Sequence, residues 1–204
     1  VRFISNYSSG KMGYALAESA RNLGADVELI SGPVGIKMPE NIKITSVETS
    51  AEMLDAVLGK IPYCDVFISA AAISDYRPSH KLTEKHKSSD GELVIRLERG
   101  EDILKLAKET KAGLYAVGFS AETNNISDNA KIKLEKKNID MIISNEANHQ
   151  KGLGFESDMN EVCIIEKDSM LKIPKNTKKI IADIILSRIA KNIKGNLIKI
   201  KNAR

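Results

Sequence analysis

The sequence lacks the features that would place it among membrane, disulfide-rich or low-complexity proteins. Its 204 residues contain no apolar run near the ~18–20 residues that a membrane-spanning helix needs, and no signal-peptide pattern opens it. Its two cysteines, Cys64 and Cys163, lie far apart, which argues against a disulfide scaffold and for a reducing compartment. Thirteen glycines and five prolines are too few for a low-complexity chain. We therefore expect a soluble, cytoplasmic protein.

Several common catalytic and metal-binding signatures are also missing. The three histidines have no metal-ligand spacing with one another or with the cysteines, which argues against a structural zinc site. No Gly-x-Ser-x-Gly nucleophile motif occurs. Gly10-Lys11 is followed by Met12 rather than by Ser or Thr, so this segment is not a Walker A loop.

Positive charge is concentrated in one short segment. The formal net charge is +4, and residues 191–204 contain five basic residues and no acidic one. The rest of the chain is therefore nearly neutral. A basic terminal tail is more commonly a solvated end than a nucleic-acid-binding arm, so we expect neither a nucleic-acid nor a membrane partner.

Hydrophobic periodicity predicts helices alternating with strands. Gly24 is expected to end the first helix and Ser50 to cap the second, and the apolar run 65–72 suits a strand buried on both faces. The predicted helices are 10–23, 50–58, 102–110, 127–137 and 177–193. The predicted strands are 26–30, 42–47, 65–72, 92–97, 114–119, 140–144 and 161–166.

This alternation predicts one α/β domain over residues 1–204, with a Rossmann-like, mainly parallel sheet and helices on both faces. Ligands in such sheets bind beyond the carboxyl ends of the strands. The candidate site loops are therefore those after residues 72, 119 and 144, and the segment before the first helix. We expect a mobile flap at 76–91 and a basic tail at 191–204.

Two of these loops carry residues that suit an anionic ligand. Residues 6–13 combine small side chains, a helix start and Lys11, although Ser8 or Ser9 could merely cap the helix while Lys11 is solvated. Asp75 could bind a metal ion or a ligand hydroxyl, or it could cap a turn. The lysine-rich stretch 81–90 could close as a lid over an anion, or it could be a solvated loop.

The later strand and helix add further candidates. Gly118 permits close backbone approach, and Phe119 could flank a flat ring or belong to the core. Lys133 and Lys137 are i,i+4 neighbours, a pairing of like charges that is slightly unfavourable unless an anion binds there. We interpret this pair as a modest indication of a polyphosphate.

Three motifs, in this order, resemble those of the phosphopantothenate–cysteine ligases, the phosphopantothenoylcysteine synthetases of coenzyme A biosynthesis. They are ISNYSSGKMG at 4–13, AAISDYR at 71–77 and VGFSAETNN at 117–125. The resemblance continues through Lys133, Lys137 and ISNE at 143–146, and it spans essentially the whole chain.

The resemblance implies a Mg²⁺-dependent enzyme that uses CTP rather than ATP to join 4'-phosphopantothenate to cysteine. The pantothenate carboxylate attacks the α-phosphate of CTP, giving an acyl-cytidylate and pyrophosphate, and cysteine then displaces CMP to leave an amide. It further implies a homodimer, and a first strand and Gly-Thr-rich loop that precede Val1 and are missing from this sequence. In bacterial members it implies fusion to an N-terminal decarboxylase that holds FMN.

Residue by residue, the resemblance assigns catalysis to Asn6, which orients the acyl group, and to Lys85 of the flap. The implied CTP-binding residues are Ser69, Ala70, Ala71, Asp75, Lys85, Glu101, Asp102, Ile103, Leu104, Phe119, Lys133 and Lys137. The implied phosphopantothenate-binding residues are Asn6, Ser8, Ser9, Gly10, Ala71 and Ala72. Asp75 is the candidate Mg²⁺ ligand, through the triphosphate.

Two positions depart from the family pattern. The flap motif, usually Lys-Ile-Lys-Lys, reads Lys85-His86-Lys87-Ser88, and Glu101 stands where the family usually has proline. Both departures fall on segments to which the resemblance assigns nucleotide contacts.

Two alternatives come from other functional classes. A nicotinamide-dependent reductase would need a complete Gly-x-Gly-x-x-Gly motif and an acid after the run 26–30, but the chain offers only Gly10 and Gly13 and then Ser31. A basic-tailed nucleic-acid-binding module would bind in a salt-dependent manner through residues 191–204.

Overall fold

The computed structural model describes residues 4–80, 92–122, 126–146 and 157–202, and the structural statements below refer to those ranges. The helices are α1 (Lys11–Asn22), α2 (Ser50–Lys60), α3 (Ile103–Thr110), α4 (Ile126–Lys137) and α5 (Lys178–Asn202). The strands are β1 (Glu28–Ser31), β2 (Lys43–Ser46), β3 (Val66–Ser69), β4 (Tyr76–Pro78), β5 (Leu97–Arg99), β6 (Tyr115–Glu122), β7 (Met141–Glu146), β8 (Met159–Ile165) and β9 (Met170–Thr177).

The central sheet has the order β3-β6-β7-β8-β9. Strands β3, β6 and β7 are parallel to one another, with helices between them in the chain, whereas β8 runs antiparallel to both β7 and β9. Strands β1 and β2 form a separate parallel pair, and β4 and β5 form an antiparallel pair. The mixed, mostly parallel α/β architecture confirms the predicted fold class.

Helices cover both faces of the central sheet. On one face α1 and α5 pack over alternate residues of β6 and β7, including Val117 and Ile143. On the other face α3 and α4 pack over Ala116 and Ile142, and α2 continues this layer towards β1. Residues 115–118 of β6 are therefore buried from both sides. Among the described helices, none is long and apolar enough to cross a membrane.

The helix boundaries confirm some expected caps and correct others. Gly24 adopts φ +86° after α1, as expected for a helix stop. The cap of α2 is Thr49, not Ser50, because the Thr49 hydroxyl accepts a hydrogen bond from the Glu52 N–H. Helix α5 extends to Asn202, beyond the predicted end at 193, and thus includes most of the predicted basic tail.

Two strand predictions were wrong in detail, and two strands were missed: β9, and β4, which lies at the start of the segment predicted as a flap. The strand predicted at 65–72 ends at Ser69 and is half-buried rather than fully buried. The strand predicted at 92–97 is the exposed, three-residue β5, which begins at Leu97. Strand β9 was missed because its sequence contains a proline and several polar residues, and Ile173 is its one buried residue. Proline is tolerated there because β9 lies at the edge of the sheet.

The α3–α4 layer packs closely against β6 at Gly118. A Cβ atom at Gly118 would lie 2.7 Å from Leu104 Cδ2 and 3.1 Å from Ile139 Cδ1. We predict that Gly118→Ala destabilises the fold by about 1–3 kcal/mol through overpacking, as measured by denaturant unfolding. The double variant Gly118→Ala/Leu104→Ala should lose less stability than the sum of the losses of the two single variants, since Leu104 is the side chain that the new methyl group would contact.

Gly59→Ala is the matched control for this substitution. Gly59 lies in α2, and a Cβ atom there would have no other group within 4 Å, so alanine should be neutral or stabilising at this position. Equal unfolding free energies for Gly118→Ala and the wild type would contradict the close packing of α3 on β6.

Candidate functional site

Several of the candidate site residues lie where the parallel strands end. Ser69, the last residue of β3, is paired with Gly118 of β6, and Phe119 is paired with Ile143 of β7. The start of α1 reaches the same edge, since a Cβ atom at Gly13 would lie 3.9 Å from the Cβ of Ala70. The segment before α1, the loop after β3 and the end of β6 are thus neighbours, as expected for a parallel sheet.

Asn6 joins the first two motifs directly. Its side-chain amide donates a hydrogen bond of 3.2 Å to the backbone carbonyl of Ile73, 67 residues later in the chain. Asn6 itself is exposed. The segment before α1 is therefore fixed against the loop after β3, with an exposed asparagine at the junction.

The turn into α1 depends on Gly10. It adopts φ +74°, and a Cβ atom there would lie 2.7 Å from Val34 Cγ1, so a larger residue would be both strained and obstructed. The Ser8 and Ser9 hydroxyls accept long hydrogen bonds from the N–H groups of Gly10 (3.4 Å) and Lys11 (3.5 Å). The two serines thus help to form the turn at the start of α1, as the helix-capping alternative predicted. They also lie near the carboxyl edge of the sheet.

The alternative of a solvated Lys11 is wrong. Its ammonium forms an ion pair of 2.7 Å with Asp158, which immediately precedes β8, and its side chain is 31% exposed. Asp158 could not be predicted as its partner, because 147 residues separate the two in the chain. Lys178, the first residue of α5, was missed as well and is buried beside this pair.

The loop after β3 positions the Asp75 carboxyl group without using it in the turn. The Ser74 hydroxyl accepts from the Tyr76 N–H (3.2 Å), and the Asp75 backbone carbonyl accepts from the Gly100 N–H (2.8 Å). The Asp75 residue is exposed, as is Ala71, while Ala72 is half-buried. The side chain that caps this turn is thus Ser74, not Asp75.

The four candidate residues at the start of α3, 101–104, differ in their exposure. Ile103 and Leu104 are buried, at 4% and 7% exposure, so they could offer a ligand their backbone but not their side chains. Glu101 is exposed and borders a cavity of about 60 Å³ that it shares with Ser74 and Arg77. That volume is far below the ~300–1,000 Å³ of a typical small-molecule pocket, so the cavity by itself does not accommodate a nucleotide.

Asp102 connects α3 to α4. Its carboxylate caps α3 by accepting from the Lys105 N–H (3.1 Å) and forms an ion pair of 2.8 Å with Lys137. Burial acts to raise the pKa of Asp102, but the Lys137 ammonium and the Lys105 N–H together hold it below its usual value. The Lys133–Lys137 repulsion thus has a protein counter-charge nearby, which weakens the argument that this pair requires a polyphosphate.

The candidate residues fall on two faces of the sheet. Phe119 is half-buried and packs against the α1–α5 core, on the face where α1 begins. Gly118 faces Leu104 on the opposite side, and strand alternation places Ser69 there too. The space beside Gly118 is therefore occupied by the Leu104 side chain and is not open to a ligand. A ligand that contacts both groups must cross the carboxyl edge of the strands.

Lys85 and the lysine-rich stretch 81–90 lie outside the described residues. Within the described residues, no group of three or more His, Cys, Asp or Glu side chains could hold a metal ion. Mg²⁺ commonly binds through one or two carboxylates together with substrate phosphates, and the exposed Asp75 fits that role.

An α/β sheet with helices on both faces, and with the start of α1 and the loop after β3 together at its carboxyl edge, defines a Rossmann-like domain. Residues 1–193 match the DNA/pantothenate metabolism flavoprotein C-terminal domain family. The chain is 40% identical over 192 residues to the coenzyme A biosynthesis bifunctional protein CoaBC of Vibrio vulnificus strain CMCP6, covering 93% of this chain and 48% of that protein. The Bacillus subtilis strain 168 protein of the same name is 42% identical over 192 residues, covering 93% and 47%.

Structural comparison agrees with this assignment. A crystal structure of the C-terminal domain of the bifunctional protein CoaBC superposes with a TM-score of 0.80 at 39% identity, covering 96% of this chain and 88% of that one. The chain belongs to the DNA/pantothenate metabolism flavoprotein C-terminal domain family, and it spans about half the length of the curated relatives it matches.

The Asp102–Lys137 ion pair can be tested apart from the helix cap. Asparagine caps helices as well as aspartate does, so Asp102→Asn should keep the cap and lose the ion pair. Since folding lowers the pKa of Asp102, its charge contributes stability above the usual aspartate pKa, and that contribution is lost as the pH falls through the folded-state pKa. We predict a loss of at most about 1 kcal/mol at pH 7 that disappears at low pH, measured by denaturant unfolding.

Glu109→Gln, in the exposed Lys105–Glu109 pair of the same helix, is the control and should change stability less. A stability difference between Asp102→Asn and the wild type that persists in acid would contradict an electrostatic role for the ion pair.

Proposed function

We propose that the chain catalyses CTP-dependent ligation of cysteine to 4'-phosphopantothenate in coenzyme A biosynthesis. Membership of the family over residues 1–193 supports this proposal, as do the names of relatives that are 40–42% identical. The observation that carries it in the structure is the Asn6–Ile73 hydrogen bond, because it brings together two motifs that resemble ligase motifs at the carboxyl edge of the sheet.

The proposed reaction has two steps. A carboxylate oxygen of phosphopantothenate attacks the α-phosphorus of CTP, the bond to the β-phosphate breaks, and pyrophosphate leaves with an acyl-cytidylate formed. The amine of cysteine then attacks the acyl carbon and forms the amide bond. The bond from the acyl carbon to the phosphate oxygen breaks, and CMP and a proton are released. The activation is needed because a free carboxylate is a poor electrophile.

The chief task of such a site is to hold two anionic substrates together and to stabilise the charge that develops between them. In this proposal the exposed Asn6 amide orients the acyl group beside the start of α1. Lys133, Lys137 and the flap residue Lys85 supply positive charge to the nucleotide. Phe119 and the backbone at 69–71 and 101–104 line the nucleotide path along the carboxyl edge.

Mg²⁺, when bound with the triphosphate, would neutralise phosphate charge, and Asp75 is the residue of this chain proposed to hold it. Phosphopantothenate is assigned to Asn6, Ser8, Ser9, Gly10, Ala71 and Ala72, on the side where α1 begins. The catalytic unit is proposed to be a homodimer, and the longer protein is proposed to carry a decarboxylase with FMN, in keeping with the bifunctional relatives.

The reductase alternative receives no support from the end of β1. Ser31 stands where a ribose-binding acid would be needed, and it is 8% exposed with its hydroxyl 3.1 Å from that of Tyr14. A buried serine engaged with a tyrosine cannot replace an exposed carboxylate in binding a ribose.

Pyrophosphate release tests the proposed function. We predict release that requires 4'-phosphopantothenate, Mg²⁺ and CTP, with ATP a poor substitute, for a polypeptide extended at its amino end, assayed beside this chain. Asn6→Ala and Lys85→Gln should each lower turnover by about 100-fold or more, because each removes a donor to developing charge. Circular dichroism and thermal unfolding should remain those of the wild type.

Lys167→Gln is the matched control, since Lys167 is an exposed lysine in the β8–β9 turn, at the opposite edge of the sheet. It should retain full turnover. Absence of pyrophosphate release from the extended polypeptide with both nucleotides would overturn the proposed function.

A further inference from the structure

A pair of serines lies where β6 and β7 approach the carboxyl edge of the sheet. Ser120 of β6 and Ser144 of β7 are paired in the parallel register, and the Ser120 hydroxyl donates a hydrogen bond of 3.1 Å to the Ser144 hydroxyl. Ser144 is 1% exposed, whereas Ser120 is half-buried. One hydroxyl is thus held inside the protein, and the hydroxyl that contacts it belongs to a residue that reaches the surface.

Both serines face the α3–α4 layer. Side chains alternate along a strand, and Ala116 of β6 and Ile142 of β7 belong to that layer. Gly118 precedes Ser120 on the same face and lies against Leu104 of α3. Because a short connection joins α3 to β6, the two run in opposite directions, and the start of α3 lies beside the end of β6 that carries Ser120.

The two hydroxyls interrupt an apolar pattern. On this face β6 carries alanine and glycine at 116 and 118, and β7 carries isoleucine at 142, and the serines follow one alternation closer to the edge. Two small apolar side chains would serve the core as well as two hydroxyls that must be taken out of water and paired. The position of the pair therefore favours a role towards a ligand at the edge over a role in the core.

The direction of the hydrogen bond defines what this pair offers to a ligand. A hydroxyl has one hydrogen and two lone pairs, and the hydrogen of Ser120 is directed to Ser144. Ser120 therefore offers its lone pairs, and the ligand group that suits them is a hydrogen-bond donor. Phosphate oxygens are acceptors. A nucleotide would thus contact Ser120 through its nucleoside, which carries donors, and not through its phosphates.

We propose that Ser120, oriented by the buried Ser144, accepts a hydrogen bond from the nucleoside of the nucleotide substrate. The proposal rests on the proposed function, in which CTP contacts the backbone at 101–104 and Lys137, on the same side of the sheet as the serine pair. Neither serine belongs to the site residues assigned above. The donors of the nucleoside in CTP are the amino group of the base and the two ribose hydroxyls, and each can be removed in turn.

The double variant Ser120→Ala/Ser144→Ala separates binding from structure. Ser120→Ala alone leaves the buried Ser144 hydroxyl without this partner, so it should lower the melting temperature. The double variant removes both hydroxyls and should unfold near the wild-type temperature. If the pair were only structural, the double variant would bind nucleotides normally. If Ser120 contacts the nucleoside, the double variant should be stable and still bind CTP weakly.

Titration calorimetry in the presence of Mg²⁺, on the polypeptide extended at its amino end, would compare CTP, UTP, 2'-deoxy-CTP and 3'-deoxy-CTP. UTP has a carbonyl oxygen in place of the amino group, and each deoxynucleotide lacks one ribose hydroxyl. We expect Ser120→Ala and the double variant to bind CTP about 3- to 10-fold more weakly than the wild type does, as for one lost hydrogen bond. This difference from the wild type should vanish for the one nucleotide that lacks the donor.

Ser187→Ala is the matched control, since it removes an exposed hydroxyl from α5. It should bind all four nucleotides as the wild type does. Affinity for phosphopantothenate should be unchanged in every variant, because that substrate is assigned to the side where α1 begins.

The outcomes distinguish this inference from the proposed function. Equal losses for all four nucleotides, or wild-type affinity for CTP in the double variant, would overturn the inference and leave the ligase proposal intact. Nucleotide binding without pyrophosphate release would overturn the ligase proposal, and the four titrations would still decide whether Ser120 contacts the nucleoside. A wild-type protein that bound none of the four nucleotides would overturn both.

Discussion

Burial of the first half of β6 on both faces is the constraint on which the rest of the structure depends. Residues 115–118 lie between the α1–α5 layer and the α3–α4 layer, and both cores are built on their alternating side chains. Such a strand can accept only small or apolar residues, and at Gly118 it accepts no side chain at all, because Leu104 and Ile139 already occupy that space. The position of α3 follows from this close contact.

The same constraint places the site. Because Leu104 is held against Gly118, Asp102 is fixed just before it at the start of α3, where its carboxylate reaches Lys137 of α4. On the other face Phe119 packs with α1, whose start lies against Ala70. The Asp102–Lys137 pair thus lies on one face of β6, and Phe119 and the start of α1 lie on the other, so a ligand that contacted both groups would have to cross the carboxyl edge of the strand.

The start of α1 illustrates how a binding site differs from a stable core. Asn6 is exposed, so its hydrogen bond to Ile73 adds little to the core, but it holds the segment before α1 against the loop after β3. Gly10 is also required for local reasons, since its positive φ and the adjacent Val34 side chain exclude a larger residue. In the proposed function, both residues serve to place the reacting acyl group at the edge of the sheet.

The sequence by itself determined the order of the five helices and of seven of the strands, and the mainly parallel arrangement. These follow from periodicity and from short-range signals such as Gly24, which act within a few residues. It did not determine β9, because an edge strand with a proline and one buried residue lacks an alternating pattern. Nor could it show the contacts of Asn6 with Ile73, of Lys11 with Asp158, or the burial of Lys178. Those depend on which distant segments the packed sheet brings together, and only the tertiary structure decides that.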